Sequence, residues 1–123
     1  MTYIEGFIAA VPTANKDAYL KHASDFTQLG REFGIKRHVE AWADDVPDGK
    51  LTDFRRAVQA TADEAVVFSW MEWPDKATCD AAMAKIMAPD FKDDRMDPEK
   101  NPMPFDGKRM IFGGFQSVVE LGR

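Results

Sequence analysis

The stretch from Ala65 to Trp73, AVVFSWMEW, is the strongest strand signal in the chain. It is rich in β-branched and aromatic residues, which strands favour, and apolar side chains occupy both its odd and its even positions. Since neighbouring side chains of a strand point to opposite sides of a sheet, this strand is predicted to be buried on both faces. The stretch Tyr3–Val11, YIEGFIAAV, has the same character and predicts a second strand of this kind.

Two amphipathic helices are predicted to follow these two strands. In Asn15–Phe33, apolar residues recur at spacings of three and four, and Gly34 stands where a left-handed residue commonly ends a helix. The second helix, Lys76–Met87, is rich in alanine and methionine and stops before Pro89.

The remaining elements complete a β-α-β-β-α-β order. Ile35–Asp44 alternates in the manner of a strand, Arg109–Leu121 predicts the last strand, and Thr52–Gln59 predicts a short helix. Right-handed crossovers place both long helices on one face of a four-stranded antiparallel sheet, which is the ferredoxin-like plait. We therefore predict that residues 1–123 form a single α+β domain.

The two central strands also predict a partner for this domain. Two helices cover only one face of a sheet, yet Tyr3–Val11 and Ala65–Trp73 are apolar on both. A second copy of the sheet is the simplest cover, so a homodimer is expected. The extra loops of the chain are the alternative cover.

Composition argues against several classes of partner. The net charge of −5, from 21 acidic and 16 basic residues, does not suit non-specific nucleic-acid binding. Residues 109–118, RMIFGGFQSV, are similar to the RNA-reading strand of an RRM, but they fall on the fourth strand instead of the third. No apolar stretch is long enough to span a membrane, and no signal peptide is expected. The lone cysteine, Cys79, is typical of a reducing cytoplasm.

Three segments together resemble a known family. They are Glu40–Lys50 (EAWADDVPDGK), Val66–Trp70 (VVFSW) and Met103–Phe115 (MPFDGKRMIFGGF). Their order and spacing resemble the YbaA-like bacterial family, an uncharacterised group with a domain of unknown function that is placed in the dimeric α/β barrel superfamily. The resemblance implies a ferredoxin-like protomer whose sheet meets the sheet of a partner. It also implies kinship with cofactor-free oxygenases and isomerases of that superfamily.

One face of the second strand carries the first candidate site. His38, Glu40 and Trp42 alternate and so point the same way, which would place an imidazole, a carboxylate and an indole on one wall. In that arrangement His38 could act as a general base oriented by Glu40, and Trp42 could stack on a flat ligand. The alternative is an exposed His38–Glu40 pair on an edge strand, with Trp42 in the core.

The third strand and the start of the fourth supply further candidates. Trp70 and Glu72 share a face, and a carboxylate beside tryptophan could serve as an acid or pair with Arg56 or Arg109. Arg109 is also a possible polar anchor for a ligand. The two histidines lie on different elements and without metal-binding spacing, so neither a metal nor a cofactor is expected.

Two functions fit this sequence. The first is binding of a small apolar or aromatic molecule between sheet and helices, with the 88–108 loop closing the pocket; such a site could support cofactor-free oxygenation or isomerisation. The second is a non-enzymatic stress or protein-interaction module that uses the 88–108 loop. A cavity above about 300 Å³ with converging polar groups favours the first function, and a filled core with an exposed loop favours the second.

Overall fold

The computed structural model describes residues 2–122 as an α+β structure around one antiparallel sheet. The strands of this sheet are β1 (Tyr3–Pro12), β2 (Arg37–Trp42), β3 (Glu64–Trp73) and β4 (Ile111–Gln116). Their spatial order is β2-β3-β1-β4, so the two strands that are apolar on both faces are the central ones.

Three α-helices accompany the sheet, and they are α1 (Lys16–Phe33), α2 (Phe54–Ala57) and α3 (Lys76–Ile86). Gly34 ends α1 with a φ of 111°, as the sequence predicts. The Asp53 and Asp75 carboxylates accept hydrogen bonds from the first turns of α2 and α3, respectively. In residues 2–122 no helix is long and apolar enough to cross a bilayer.

The last strand is shorter than predicted at both ends. Its N-terminal end is displaced because Gly107–Arg109 forms a 3-10 turn, which leaves Ile111 as the first paired residue. Its C-terminal end falls at Gln116 because this residue pairs with Tyr3, the first residue of β1.

Both long helices pack on the same face of the sheet, which we call the closed face. There Ala9 and Val11 of β1 and Val67 of β3 are buried against Tyr19 and Ala23 of α1. At the other end of this face, Trp73 of β3 is buried against Cys79 and Ala82 of α3. The main core therefore lies between the closed face and these two helices.

The opposite face of the sheet, which we call the open face, is covered only at one end. Val58, directly after α2, is fully buried against Ala10 of β1 and Val66 of β3. Farther along, Phe68 and Phe115 are 44% and 61% exposed. A loop thus covers part of the open face, as the alternative interpretation of the sequence expects, and an apolar remainder is left exposed.

The chain between α3 and β4 folds back along α1 as a strap, residues 93–106. Its first anchor is Arg95, whose guanidinium donates to both carboxylate oxygens of Glu32 near the end of α1, at 2.8 and 3.0 Å. The same guanidinium holds Asp93 within the strap at 2.6 Å. One arginine therefore fixes both the shape and the position of this end of the strap.

Two more anchors attach the strap to the middle and the start of α1. The Asn101 side chain is buried and lies 3.3 Å from Nδ1 of His22. The Asn15 side chain, just before α1, donates to the carbonyl oxygen of Pro104 at 2.9 Å. The strap therefore runs antiparallel to α1 and contacts it along its whole length.

Arg109 joins the chain before β4 to the start of β3. Its guanidinium donates to both carboxylate oxygens of Glu64, at 2.8 and 2.7 Å, and to the carbonyl oxygen of Gln59 at 2.8 Å. The hydrogen bonds from Arg109, together with one from the Thr61 backbone N–H, outweigh burial and lower the pKa of Glu64 to about 2. The start of β3 is thereby joined to the turn that leads into β4.

We expect Glu64→Gln to destabilise the fold in a pH-dependent manner. Because the folded-state pKa of Glu64 lies below its ordinary value of 4.5, its stabilising effect is complete above that value and is lost as the pH falls toward about 2. Near neutral pH the free energy of unfolding of the variant, measured in urea, should be about 1–3 kcal/mol lower than that of the wild type. The deficit should shrink in acid, and the exposed control Glu99→Gln should show none. A deficit that is constant across this pH range would contradict the prediction.

Candidate functional site

A cavity of about 160 Å³ lies between the closed face, α1 and the strap. Four of its lining residues are polar, and they are Tyr19, His22, His38 and Glu40. The other lining residues are apolar, and they are Phe7, Ala23, Phe26, Met71, Met103, Phe105 and Met110. The strap supplies Met103 and Phe105, so it closes the cavity on the side away from the sheet.

The periodicity of α1 places one wall of this cavity. Tyr19, His22, Ala23 and Phe26 are three, four and seven residues apart, so they share the helix face that meets the sheet. Phe105 of the strap packs against the Tyr19 ring, with 5.8 Å between ring centroids.

The alternation of β2 places the opposing polar wall. His38 and Glu40 both point to the closed face, and they pair in register with Met71 and Ser69 of β3. The Glu40 carboxylate accepts hydrogen bonds from Nε2 of His38 at 2.6 Å and from the Ser69 hydroxyl at 2.7 Å. The Tyr19 hydroxyl donates to its other oxygen. Helix α1 and two strands thus meet at one carboxylate.

The hydrogen bonds of this network fix the protonation of two of its members. Burial opposes ionisation of Glu40, but the hydrogen bonds from His38, Tyr19 and Ser69 prevail, and the pKa of Glu40 lies below its ordinary value. Burial, together with the hydrogen bond to Glu40 and its negative charge, raises the pKa of Tyr19 well above its ordinary value. A carboxylate and a neutral phenol therefore face each other near neutral pH.

His38 is buried deep in the network, with only 3% of its side chain exposed. Its Nδ1 lies 2.7 Å from the Thr27 hydroxyl, which also lies 2.9 Å from the Ala23 carbonyl oxygen. The Phe26 ring stands edge-on to the imidazole, with 6.2 Å between centroids. Both nitrogens of His38 are engaged, so it could act as a general base on a ligand only if one of these hydrogen bonds broke.

The other four candidate residues do not line the cavity. Trp42 shares the closed face with Glu40, but it packs beside the Tyr19 ring at 6.3 Å and under the Lys16 ammonium at 5.2 Å. Arg109 is committed to Glu64. The structure therefore brings together His38 and Glu40, with Trp42 as a neighbour.

Trp70 and Glu72 lie on the open face, on the far side of the sheet from the cavity. The Trp70 indole N–H donates to Glu72 at 2.9 Å, and Arg37 lies 3.2 Å from the same carboxylate oxygen. The ion-pair alternative for Glu72 is thus correct, although its partner is Arg37 of β2 and not Arg56 or Arg109. To act as an acid at the cavity, Glu72 would have to lie on the closed face.

The sequence carries a signal for some of the residues that our candidate set omitted. His22 lies between Tyr19 and Ala23 on the apolar stripe of α1, where a polar residue is unusual enough to indicate a buried role. Met103 and Phe105 have no such signal, because the strap has no periodicity that predicts what it contacts.

With about half of the 300 Å³ expected for a typical ligand site, the cavity meets only one of the two criteria for small-molecule binding, which is the convergence of polar groups. A larger groove, of about 1050 Å³, lies between the end of α3 and the strap. It is open, and four of its six charged side chains already pair with one another, Arg95 with Asp93 and Lys100 with Asp94. In residues 2–122 no three His, Cys, Asp or Glu side chains are arranged to hold a metal ion. The smaller cavity is therefore the better candidate site.

Comparison with known proteins gives the family. Residues 2–107 match the family described as "Protein of unknown function (DUF1428)". The chain belongs to this family. It is 53% identical over 120 residues to "Uncharacterized protein YbaA" of Escherichia coli K12, which covers 98% of this chain and 99% of that protein. The protein of the same description from Shigella flexneri matches equally well. The YbaA-like resemblance is confirmed, while the dimeric α/β barrel superfamily stays a prediction.

We expect Glu40→Gln to destabilise the protein by about 3 kcal/mol in urea unfolding, since hydrogen bonds to a buried charged group are strong and three donors would lose their shared carboxylate. Tyr19→Phe, which removes a single hydrogen bond, should lose about 1–2 kcal/mol. The matched control is Glu72→Gln on the partly exposed open face, for which a change below about 1 kcal/mol is expected. If Glu40→Gln and Glu72→Gln lowered the free energy of unfolding equally, the three hydrogen bonds to Glu40 would not have the stabilising effect expected of them.

Proposed function

We propose that this protein binds a small, flat, mainly apolar molecule in the cavity between α1 and the closed face, and that it does so as a homodimer of ferredoxin-like protomers. The observation that carries this proposal is the composition of the cavity wall. Rings and thioethers surround about 160 Å³, and one side is a hydrogen-bonded polar network. Protein interiors are otherwise packed with few voids larger than a water molecule.

The volume of the cavity limits the size of its ligand. An engineered apolar cavity of about 150 Å³ in another protein binds benzene. A cavity of about 160 Å³ therefore suits one six-membered ring with a small substituent. The walls favour a flat shape because Phe7, Phe26 and Phe105 present aromatic surfaces, while Met71 and Met103 can adjust around the ligand.

The side chains of the polar wall are held by hydrogen bonds to one another and to neighbouring residues. Glu40 already accepts three hydrogen bonds, and His38 is fixed at both nitrogens. A preorganised wall reduces the entropy lost when a ligand binds. Cofactor-free oxygenation or isomerisation, which the superfamily resemblance implies, would take place in this same cavity.

The strap supports the binding function more than the interaction function. The strap is bound to α1 through Glu32 and His22 and to the residue before it, Asn15, and it contributes two apolar side chains to the cavity. A segment that recognised another protein through these groups would first have to detach from α1. The interaction module thus remains the second candidate.

We expect fluorobenzene to bind in this cavity, which ¹⁹F NMR can detect as concentration-dependent line broadening. Ala23→Leu adds a branched side chain to the cavity wall and should abolish the broadening. The matched control is Ala81→Leu, the same substitution at an exposed position of α3, which should retain it. Broadening that persists in Ala23→Leu, or that is missing from the wild type, would contradict binding in the cavity.

The homodimer rests on the exposed part of the open face. Phe68, Ile111 and Phe115 surround a shallow groove of about 270 Å³, whose floor lies at Gly6 and Gly113. No charged residue lines this groove, so two chains that each carry a net charge of −5 can approach there without facing like charges. A second copy fits because a two-fold axis through the groove would bring the same apolar patch against itself.

We expect the wild type to sediment as a dimer and Phe115→Glu to sediment as a monomer in analytical ultracentrifugation, because the carboxylate would be buried at the contact. The control is Val119→Glu, which also adds a charge at an exposed apolar position but lies beyond β4. A monomeric wild type would exclude the homodimer and leave the cavity proposal intact.

A further inference from the structure

The strap determines which nitrogen of His22 carries its proton. The Asn101 side-chain nitrogen donates to the Arg95 carbonyl oxygen at 2.8 Å, so the amide oxygen of Asn101 is the atom that faces His22. That oxygen lies 3.3 Å from Nδ1 of His22. An amide oxygen can only accept a hydrogen bond, so Nδ1 must be the donor.

The other ring nitrogen of His22 is consequently available to a ligand. In a neutral imidazole with a proton on Nδ1, Nε2 carries the lone pair and acts as an acceptor. Within residues 2–122, the side chain of His22 forms one hydrogen bond, at Nδ1, and none at Nε2. His22 also lines the cavity, on the face of α1 that meets the sheet.

The remaining polar groups of the cavity are already in use. Both nitrogens of His38 are engaged, and the Glu40 carboxylate accepts three hydrogen bonds. The Tyr19 hydroxyl donates its hydrogen bond to Glu40. Of the two imidazoles in this wall, His22 is therefore the one with a ring nitrogen that no hydrogen bond within residues 2–122 engages, and a ligand that offers a hydrogen-bond donor could bind there.

We propose that the cavity takes a phenol, with the ring among the aromatic and methionine side chains and the hydroxyl donating to Nε2 of His22. This inference rests on the proposed binding function and specifies its ligand class. A neutral donor suits the site better than an anion, because the ionised Glu40 lies in the same wall and the chain carries a net charge of −5. The cavity volume leaves room for one ring and its hydroxyl.

The test compares two probes of nearly equal size, 4-fluorophenol and 4-fluorotoluene, in ¹⁹F NMR titrations. They differ in a hydroxyl against a methyl group, so the ratio of their dissociation constants isolates the hydrogen bond. We expect His22→Phe to reduce the preference for 4-fluorophenol by about three- to tenfold, as expected for the loss of one hydrogen bond. His22→Gln retains an acceptor oxygen and should preserve part of the preference.

A second measurement uses the unaltered protein and so does not depend on how the variants fold. The ¹⁵N shifts of the His22 ring should indicate a protonated Nδ1 and an unprotonated Nε2. The Nε2 signal should move toward the hydrogen-bonded position when 4-fluorophenol is added, and it should move less with 4-fluorotoluene. A proton on Nε2 in the free protein would overturn the inference.

The titrations separate failure of this inference from failure of the proposed function. If both probes bind the wild type and His22→Phe leaves their ratio unchanged, the cavity binds ligands and His22 does not select phenols. If neither probe binds and fluorobenzene does not bind either, the binding function itself is wrong, and the inference is wrong with it.

Discussion

The fold on the closed face depends on the burial of one carboxylate. Removing an ionised carboxylate from water costs several kcal/mol unless hydrogen bonds replace its hydration. Glu40 obtains these hydrogen bonds from Tyr19 of α1, His38 of β2 and Ser69 of β3. Since no single element supplies all three donors, the carboxylate is satisfied only when the helix and both strands are in place. This interaction therefore specifies how α1 is aligned on the sheet, whereas the apolar contacts of α1 contribute mainly through the area that they bury.

The strap and the cavity follow from that alignment. Once α1 is held over β2, its inward residues face the sheet across a gap that the Glu40 network keeps polar on one side. The strap then closes the gap with Met103 and Phe105, while Arg95 and Asn101 attach it to α1. The same amide that attaches the strap also sets the tautomer of His22, so closure of the cavity and the chemistry of its wall are coupled through Asn101.

The sequence predicts the parts of this structure that depend on local pattern. Periodicity located all four strands and both long helices, and the alternation of β2 correctly placed His38 and Glu40 side by side. Alternation shows which residues share a face of a strand, but it does not show which of the two faces lies beneath a helix. Our candidate set therefore included Trp70 and Glu72, although they lie on the open face. The pairing of Arg109 with Glu64 and the contacts of the strap join residues far apart in the chain, and no local pattern encodes them.

The three anchors of the strap also constrain how its length can vary in evolution. Asn15 and Glu32 are about 25 Å apart along the axis of α1, given the rise per residue of a helix. Residues 95–104 must bridge this span, and each residue deleted removes up to about 3.5 Å of reach. Nine residue steps reach at most about 31 Å, so a deletion of two or more residues would detach an anchor. An insertion, in contrast, could bulge into solvent at a cost of only a few tenths of a kcal/mol. Descendants of this chain can thus lengthen the strap more readily than they can shorten it.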